Sequence, residues 1–120
     1  MTYRVAVYGT LRKDCGNNVL LSNAKFIGKT LTKELYTLRS MGGCPAVDKS
    51  VPTHHVVVEV YEVTPEELKR LDRLEGYTDE HECWYNRTLT ETIDHGEAYM
   101  YHIDDTTRPI ISSGDWRARA

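Results

Sequence analysis

The sequence predicts an α+β fold: a strand-rich antiparallel sheet, curled toward a small barrel, with one principal helix. Three observations carry this expectation. Val56-Val57-Val58-Glu59-Val60-Tyr61-Glu62-Val63 is a near-continuous apolar run of strand length, a helical period with signals at both ends follows it directly, and two β-rich runs flank Asp94-His95-Gly96.

Residues 3–8 set Tyr3, Val5 and Val7 against Arg4, Ala6 and Tyr8, an alternation that predicts a strand ending abruptly at Gly9. Residues 17–21 suit a short helix. Residues 24–38 are rich in β-formers and are expected to hold two strands broken at Gly28. Met41-Gly42-Gly43-Cys44-Pro45-Ala46 reads as loop or sheet edge, since Gly-Gly permits unusual backbone angles and Pro45 cannot donate to a ladder. Residues 51–55 continue that connection, and the apolar run 56–63 has the character of a central strand.

The helix is expected over residues 64–75. Thr64 is its N-cap, Pro65 takes the first helical position, Glu67 completes a capping box and Gly76 is the stop. Residues 85–92 and 97–103 form a predicted hairpin. The tail, 104–120, is polar apart from Pro109-Ile110-Ile111 and Trp116, and is expected to pack as an irregular arm.

With 120 residues and 40% hydrophobic content, the chain suits one compact domain spanning 1–120. Fifteen basic and eighteen acidic residues are interspersed, and the net charge of -3 leaves no basic stripe for phosphate neutralisation, so no nucleic-acid partner is expected. No segment approaches a membrane span and the N-terminal apolar run is too short for a signal peptide, so the expected compartment is the cytoplasm, with no membrane partner. Cys15, Cys44 and Cys83 lack Cys-x-x-Cys spacing and read as free thiols. His54-His55 and His81-Glu82-Cys83 are too closely spaced to converge on one ion, so no metal site is expected. Gly28-Lys29-Thr30 lacks the earlier glycine of a phosphate loop, because Asn23 stands there.

One carboxylate stands out. Leu68, Leu71 and Glu75 lie at i, i+3 and i+7, so the period that aligns the leucines places Glu75 on the same apolar stripe, in the last helical turn. There the negative end of the helix dipole and neighbouring leucines both disfavour the ionised form and raise a carboxylate pKa. A proton-transfer group wants that property. The alternative is a solvated or ion-paired glutamate, with Arg70 and Arg73 nearby in sequence. Similarly, Tyr8-Gly9-Thr10-Leu11-Arg12 ends the first strand with a glycine that either exposes successive N–H groups to an anion or merely redirects the chain. Gly9 is expected to have an unusual backbone angle or to lie against a ligand.

Five segments, in order, resemble the γ-glutamylcyclotransferase-like family, especially its short γ-glutamylamine cyclotransferase and AIG2-like members. They are Val7-Tyr8-Gly9-Thr10-Leu11-Arg12, Gly43-Cys44-Pro45-Ala46, Glu59-Val60-Tyr61-Glu62-Val63, Leu71-Asp72-Arg73-Leu74-Glu75-Gly76-Tyr77 and Ser113-Gly114-Asp115-Trp116-Arg117. The resemblance covers nearly the whole chain. It implies a small mixed, barrel-like sheet with flanking helices. It also implies that Glu75 is the catalytic acid/base and that Tyr8, Gly9, Thr10 and Leu11 hold a γ-glutamyl group. The implied reaction converts a γ-glutamyl amine or γ-glutamyl amino acid to 5-oxoproline and a free amine, without cofactor. Cys44 stands where an aromatic residue is common in the family, and residues 78–83 form a long acidic loop.

Two other readings remain at this stage. A small-molecule-binding or regulatory module would keep the pocket without turnover, and a tailoring enzyme would remove a γ-glutamyl protecting group from a biosynthetic amine by the same chemistry. The leaving amine and the oligomeric state are not written in the sequence.

Overall fold

The computed structural model describes residues 1–9, 11–12, 21–75 and 85–118, with the Glu75 side chain excepted. Strands β1 (Tyr3–Val7), β2 (Lys25–Leu31), β5 (Val57–Val63), β6 (Asn86–Thr92) and β7 (Gly96–His102) form one sheet in the order β2-β5-β1-β7-β6. Strands β3 (Thr37–Ser40) and β4 (Pro45–Asp48) form a separate two-stranded ladder. Helix α1 spans Pro65–Glu75.

The large sheet is mixed. β5 runs antiparallel to both β1 and β2, β6 and β7 are an antiparallel hairpin, and β1 runs parallel to β7, with Val5 opposite Tyr99. This is the mixed sheet that the family resemblance implied, and the antiparallel sheet read from the strand pattern alone is corrected at the β1–β7 pair. The first strand starts the chain and β7 closes a late hairpin, so no local turn dictates their relative direction. Curling is present but partial. The outer strands meet beyond their ends through a bridge between Thr32 and Thr92, with Lys33 N–H donating to the Glu91 carbonyl at 2.9 Å and Ile93 N–H to the Leu31 carbonyl at 3.0 Å. The sheet is cinched at that end, and no closed barrel is formed by the described residues.

Both faces of the large sheet are covered, which explains why β1 and β5 are apolar on both sides. Ala6, Val58, Val60, Ala98 and Met100 pack on one face with Leu38 and Val47 of the small ladder and with Ile111 and Trp116 of the tail. Val5, Val7, Tyr61, Val63 and Tyr101 pack on the other with Leu68 and Leu71 of α1. The eleven-residue helix would be marginal in isolation. Burial of Leu68 and Leu71, worth about 1.5–3 kcal/mol each, holds it in place.

The helix start matches the sequence closely. Thr64 N–H donates to Glu67 Oε1 at 2.8 Å, and Glu67 N–H donates to Thr64 Oγ1 at 3.2 Å, a reciprocal capping box. The expected stop at Gly76 and, apart from Leu21, the expected helix over 17–21 lie outside the described residues.

One detail differs from expectation and two are refined. Gly28 does not separate two strands: it lies within β2, at a bulge where Phe26 and Gly28 face Tyr61 and Val60 and Ile27 is the extra residue. A β-carbon there would collide with the His95 ring, so the glycine admits the β6–β7 turn over the strand. Pro45 opens strand β4 opposite Ser40, at a ladder end where its missing N–H is tolerated. The tail is irregular except for a three-residue 3-10 helix, Trp116–Ala118.

Candidate active site

At the end of β1 the chain turns sharply. Arg12 N–H donates to the Gly9 carbonyl at 3.0 Å, so Gly9 and Arg12 are drawn together at a turn. Gly9 is buried and lacks the left-handed backbone angle seen at Gly42, Gly96 and Gly114. Its demand is steric instead. A β-carbon on Gly9 would stand 2.7 Å from Pro45 Cγ and 2.8 Å from Cδ, so this turn and the Gly43-Cys44-Pro45-Ala46 segment touch only because residue 9 has no side chain.

A cavity of about 220 Å³ opens beside this contact. Tyr8, Gly9 and Leu11 contribute one wall, Cys44 and Pro45 another, and Leu74 brings in the last turn of α1; Tyr85 and Tyr101 complete it. Thus the two segments singled out in the sequence, 8–11 and the helix end, border one space. Thr10 and the Glu75 side chain lie outside the described residues, as do Cys15, Cys83 and the acidic loop 78–83. Cys44 is a free thiol in the pocket wall.

The aromatic walls are anchored by their hydroxyls. Tyr8 Oη donates to the Tyr101 carbonyl at 2.6 Å and accepts from Val47 N–H at 3.2 Å, tying the loop after β1 to both β7 and β4. Tyr85 Oη donates to the Pro45 carbonyl at 2.8 Å and lies 3.9 Å from Cys44 Sγ. Tyr101 Oη donates to Asp72 Oδ1 at 2.6 Å, and the same carboxylate receives Arg87 at 2.7 and 2.9 Å. Asp72 precedes Glu75 by three residues, so this network fastens the C-terminal half of α1 to β6 and β7. The Arg87 guanidinium also lies over the Tyr99 ring, 4.7 Å from its centroid.

Sequence reasoning missed a second feature beside the loop. Arg12 is only 1% exposed and lies between Glu59 of β5, whose Oε2 is 2.9 Å from its Nε, and Asp115 of the tail, whose Oδ1 is 2.5 Å from its Nη1. Burial alone would lower the Arg12 pKa, and the hydrogen bonds from Asp115 and Glu59 outweigh it, leaving the pKa raised. For Asp115 burial acts upward, but Arg12 and the Arg117 N–H hold its carboxyl below the ordinary value. A signal was available: Glu59 stands in the middle of a largely apolar strand, and a buried charge there demands a partner.

The imidazoles of His54 and His55 go to separate backbone partners. His54 Nε2 accepts from Leu38 N–H at 3.0 Å, and His55 Nδ1 lies 2.7 Å from the Thr32 carbonyl oxygen. Among the described residues no three His, Cys, Asp or Glu side chains converge in a way that would hold a metal ion, and no helix is long and apolar enough to cross a membrane.

Residues 5–118 match the family described as Gamma-glutamyl cyclotransferase, AIG2-like. A Methanocaldococcus jannaschii protein provisionally named a gamma-glutamylcyclotransferase is 40% identical over 118 residues, covering 94% of each chain. The gamma-glutamylcyclotransferase family protein YtfP of Escherichia coli is 35% identical over 121 residues, covering 97% of each. Among solved structures, an uncharacterized protein from Pyrococcus horikoshii superposes with a TM-score of 0.77 at 32% identity, covering 95% of this chain and 89% of its own. With its mixed sheet, its principal helix and nearly its whole length matched, the chain belongs to the gamma-glutamyl cyclotransferase, AIG2-like family.

Proposed function

We propose that the protein is a γ-glutamylcyclotransferase-type enzyme acting on a γ-glutamyl amine or γ-glutamyl amino acid, with Glu75 as its acid/base. The observation that carries this reading is the shared cavity: Leu74, adjacent to Glu75, faces the same space as Tyr8, Gly9 and Leu11. Glu75 takes a proton from the substrate α-ammonium group. The freed amine attacks the γ-carbonyl carbon of the same molecule, forming a five-membered ring. The bond from that carbon to the leaving nitrogen then breaks as Glu75 returns its proton to the departing amine, and the ring nitrogen gives up its second proton, which the freed amine takes up as an ammonium. The products are 5-oxoproline and a free amine or amino acid.

Because nucleophile and electrophile belong to one substrate, the protein's task is to fold the substrate on itself, relay one proton and stabilise the oxyanion. In this reading the loop 8–11, including Thr10, holds the γ-glutamyl group, with backbone N–H groups directed at its carboxylate or at the oxyanion. The reaction calls for no cofactor or metal, and its substrate is a soluble small molecule of the cytoplasm.

The test is to incubate the protein with a panel of γ-glutamyl amines and γ-glutamyl amino acids and to follow 5-oxoproline by mass spectrometry. Release of 5-oxoproline is expected, unchanged by a strong chelator and absent when the substrate α-amine is blocked. Turnover of the blocked substrate would indicate hydrolysis and defeat the proposal. So would activity lost to chelation and restored by one metal.

A further inference from the structure

We infer that Arg12, Glu59 and Asp115 form a positioning triad through which the C-terminal tail sets the shape of the loop at the pocket, and hence substrate affinity. The inference rests on the functional reading above. Three segments far apart in sequence meet in it: the turn after β1, the middle of β5 and the tail just before Trp116. Arg12 joins the turn twice, closing it through its own N–H to Gly9 and fixing it through a side chain held on two sides. The cavity is lined by Gly9 and Leu11 from this turn, whereas Arg12, Glu59 and Asp115 are not among its walls.

The tail is itself held firmly enough to act as an anchor. Gly114 adopts a left-handed backbone (φ 70°) and packs so closely on the His55 carbonyl that a side chain would collide. Its own carbonyl accepts from Val57 N–H at 2.8 Å. Ser113 Oγ accepts from Asp115 N–H at 3.2 Å, and Asp115 Oδ1 accepts from Arg117 N–H at 3.0 Å, which fixes the carboxylate facing Arg12. Trp116 is buried in the core beside it. A carboxylate so oriented meets the planar fork of a guanidinium with little further ordering, and a lysine in its place could not reach two acceptors in the same geometry.

Charge balance decides which substitution is informative. Removing Arg12 would take from the buried Glu59 carboxylate a cation that it meets at 2.9 Å and endanger the fold. Removing the charge of Asp115, which is 20% exposed, leaves Arg12 and Glu59 as a balanced pair. Asparagine at 115 also retains an oxygen for the Arg117 N–H.

The experiment uses the full chain with Asp115→Asn, and with Arg12→Lys as a second variant that keeps every charge but loses the fork. Two measurements are made: backbone amide hydrogen exchange, and steady-state kinetics on the best γ-glutamyl substrate of the wild type. Exchange at Gly9, Leu11 and Arg12 is expected to quicken while Leu68 and Leu71 of α1 keep their wild-type rates. KM should rise about tenfold, the scale of the charge assistance lost from the Arg12 bond, with kcat within about twofold. Asp115→Glu should recover most of the affinity. Unchanged exchange at the turn, or exchange raised equally in α1, overturns the proposal, as does a wild-type KM in a variant whose turn exchanges faster. A wild type that releases no 5-oxoproline defeats the functional reading instead, and the exchange data then decide the coupling alone.

Discussion

Gly9 and Pro45 approach so closely that no side chain fits at residue 9: a β-carbon would lie 2.7 Å from the proline ring. Gly9→Ala must push the turn off the strand that Pro45 opens, at an overpacking cost of about 1–3 kcal/mol. Stability and substrate affinity should therefore fall together, rather than affinity alone. Pairing it with Pro45→Ala removes the obstructing ring carbons and should recover part of both losses. Urea unfolding and KM of the four proteins in this cycle measure the coupling, and strictly additive losses would rule out the contact as the cause.

Glu75→Gln should fold as the wild type does and lose about 10²–10⁴-fold in turnover, because an amide cannot accept the ammonium proton. Circular dichroism and single-turnover release of 5-oxoproline are the two readouts. A variant keeping more than about a third of wild-type turnover would exclude Glu75 from the proton relay.

Tyr101→Phe tests how the helix end is held. It deletes the 2.6 Å hydrogen bond to Asp72 but leaves the Arg87 pair, so a loss of about 1.5–3 kcal/mol is expected, the range for a neutral donor on a carboxylate. Asp72 is 18% exposed, and this access to water places the outcome toward the lower end. Chemical denaturation measures it. No change in stability would mean that water replaces the phenol at no cost.

His54 supplies a pH dependence whose sign follows from burial, which lowers its pKa below the ordinary value of 6.5. The unfolded chain then binds the proton more readily than the folded one. Stability from this group is present above the unfolded value and is lost as pH falls through the folded value. Protonation would also remove the Nε2 acceptor from the Leu38 N–H. The midpoint of urea unfolding should drop as pH is lowered below about 6.5, and His54→Gln should flatten that decline. An identical slope in the variant would assign the effect to another group.

The regular elements were largely legible because their causes are local. Alternation in residues 3–8, the apolar run in 56–63 and the reciprocal Thr64–Glu67 cap act within a few residues of themselves, and each element appears within a residue or so of its expected place. Gly28 was misread because its reason is tertiary: only the packed fold shows His95 above it. Pro45 was legible as loop or edge, and it stands at a ladder end. At the candidate site, periodicity placed Glu75 on the stripe of Leu68 and Leu71, and the common cavity of Leu74 with Tyr8, Gly9 and Leu11 needed the folded chain. Arg12 was quoted within its motif yet given no task, since neither Glu59 nor Asp115 is near it in sequence.

The Thr32–Thr92 bridge also bears on how the molecule behaves in a crowded solution. The outer strands of an open sheet ordinarily offer rows of backbone groups on which another chain can add a strand. Here the outer strands spend those groups on each other just past their ends, through the bonds of Lys33 to Glu91 and Ile93 to Leu31. Leu31 and Ile93 are both partly exposed at this place, the combination of apolar surface and strand edge that most invites fibrillar pairing. By bonding its own two margins together there, the fold withholds the most apolar end of the sheet edge from an incoming strand.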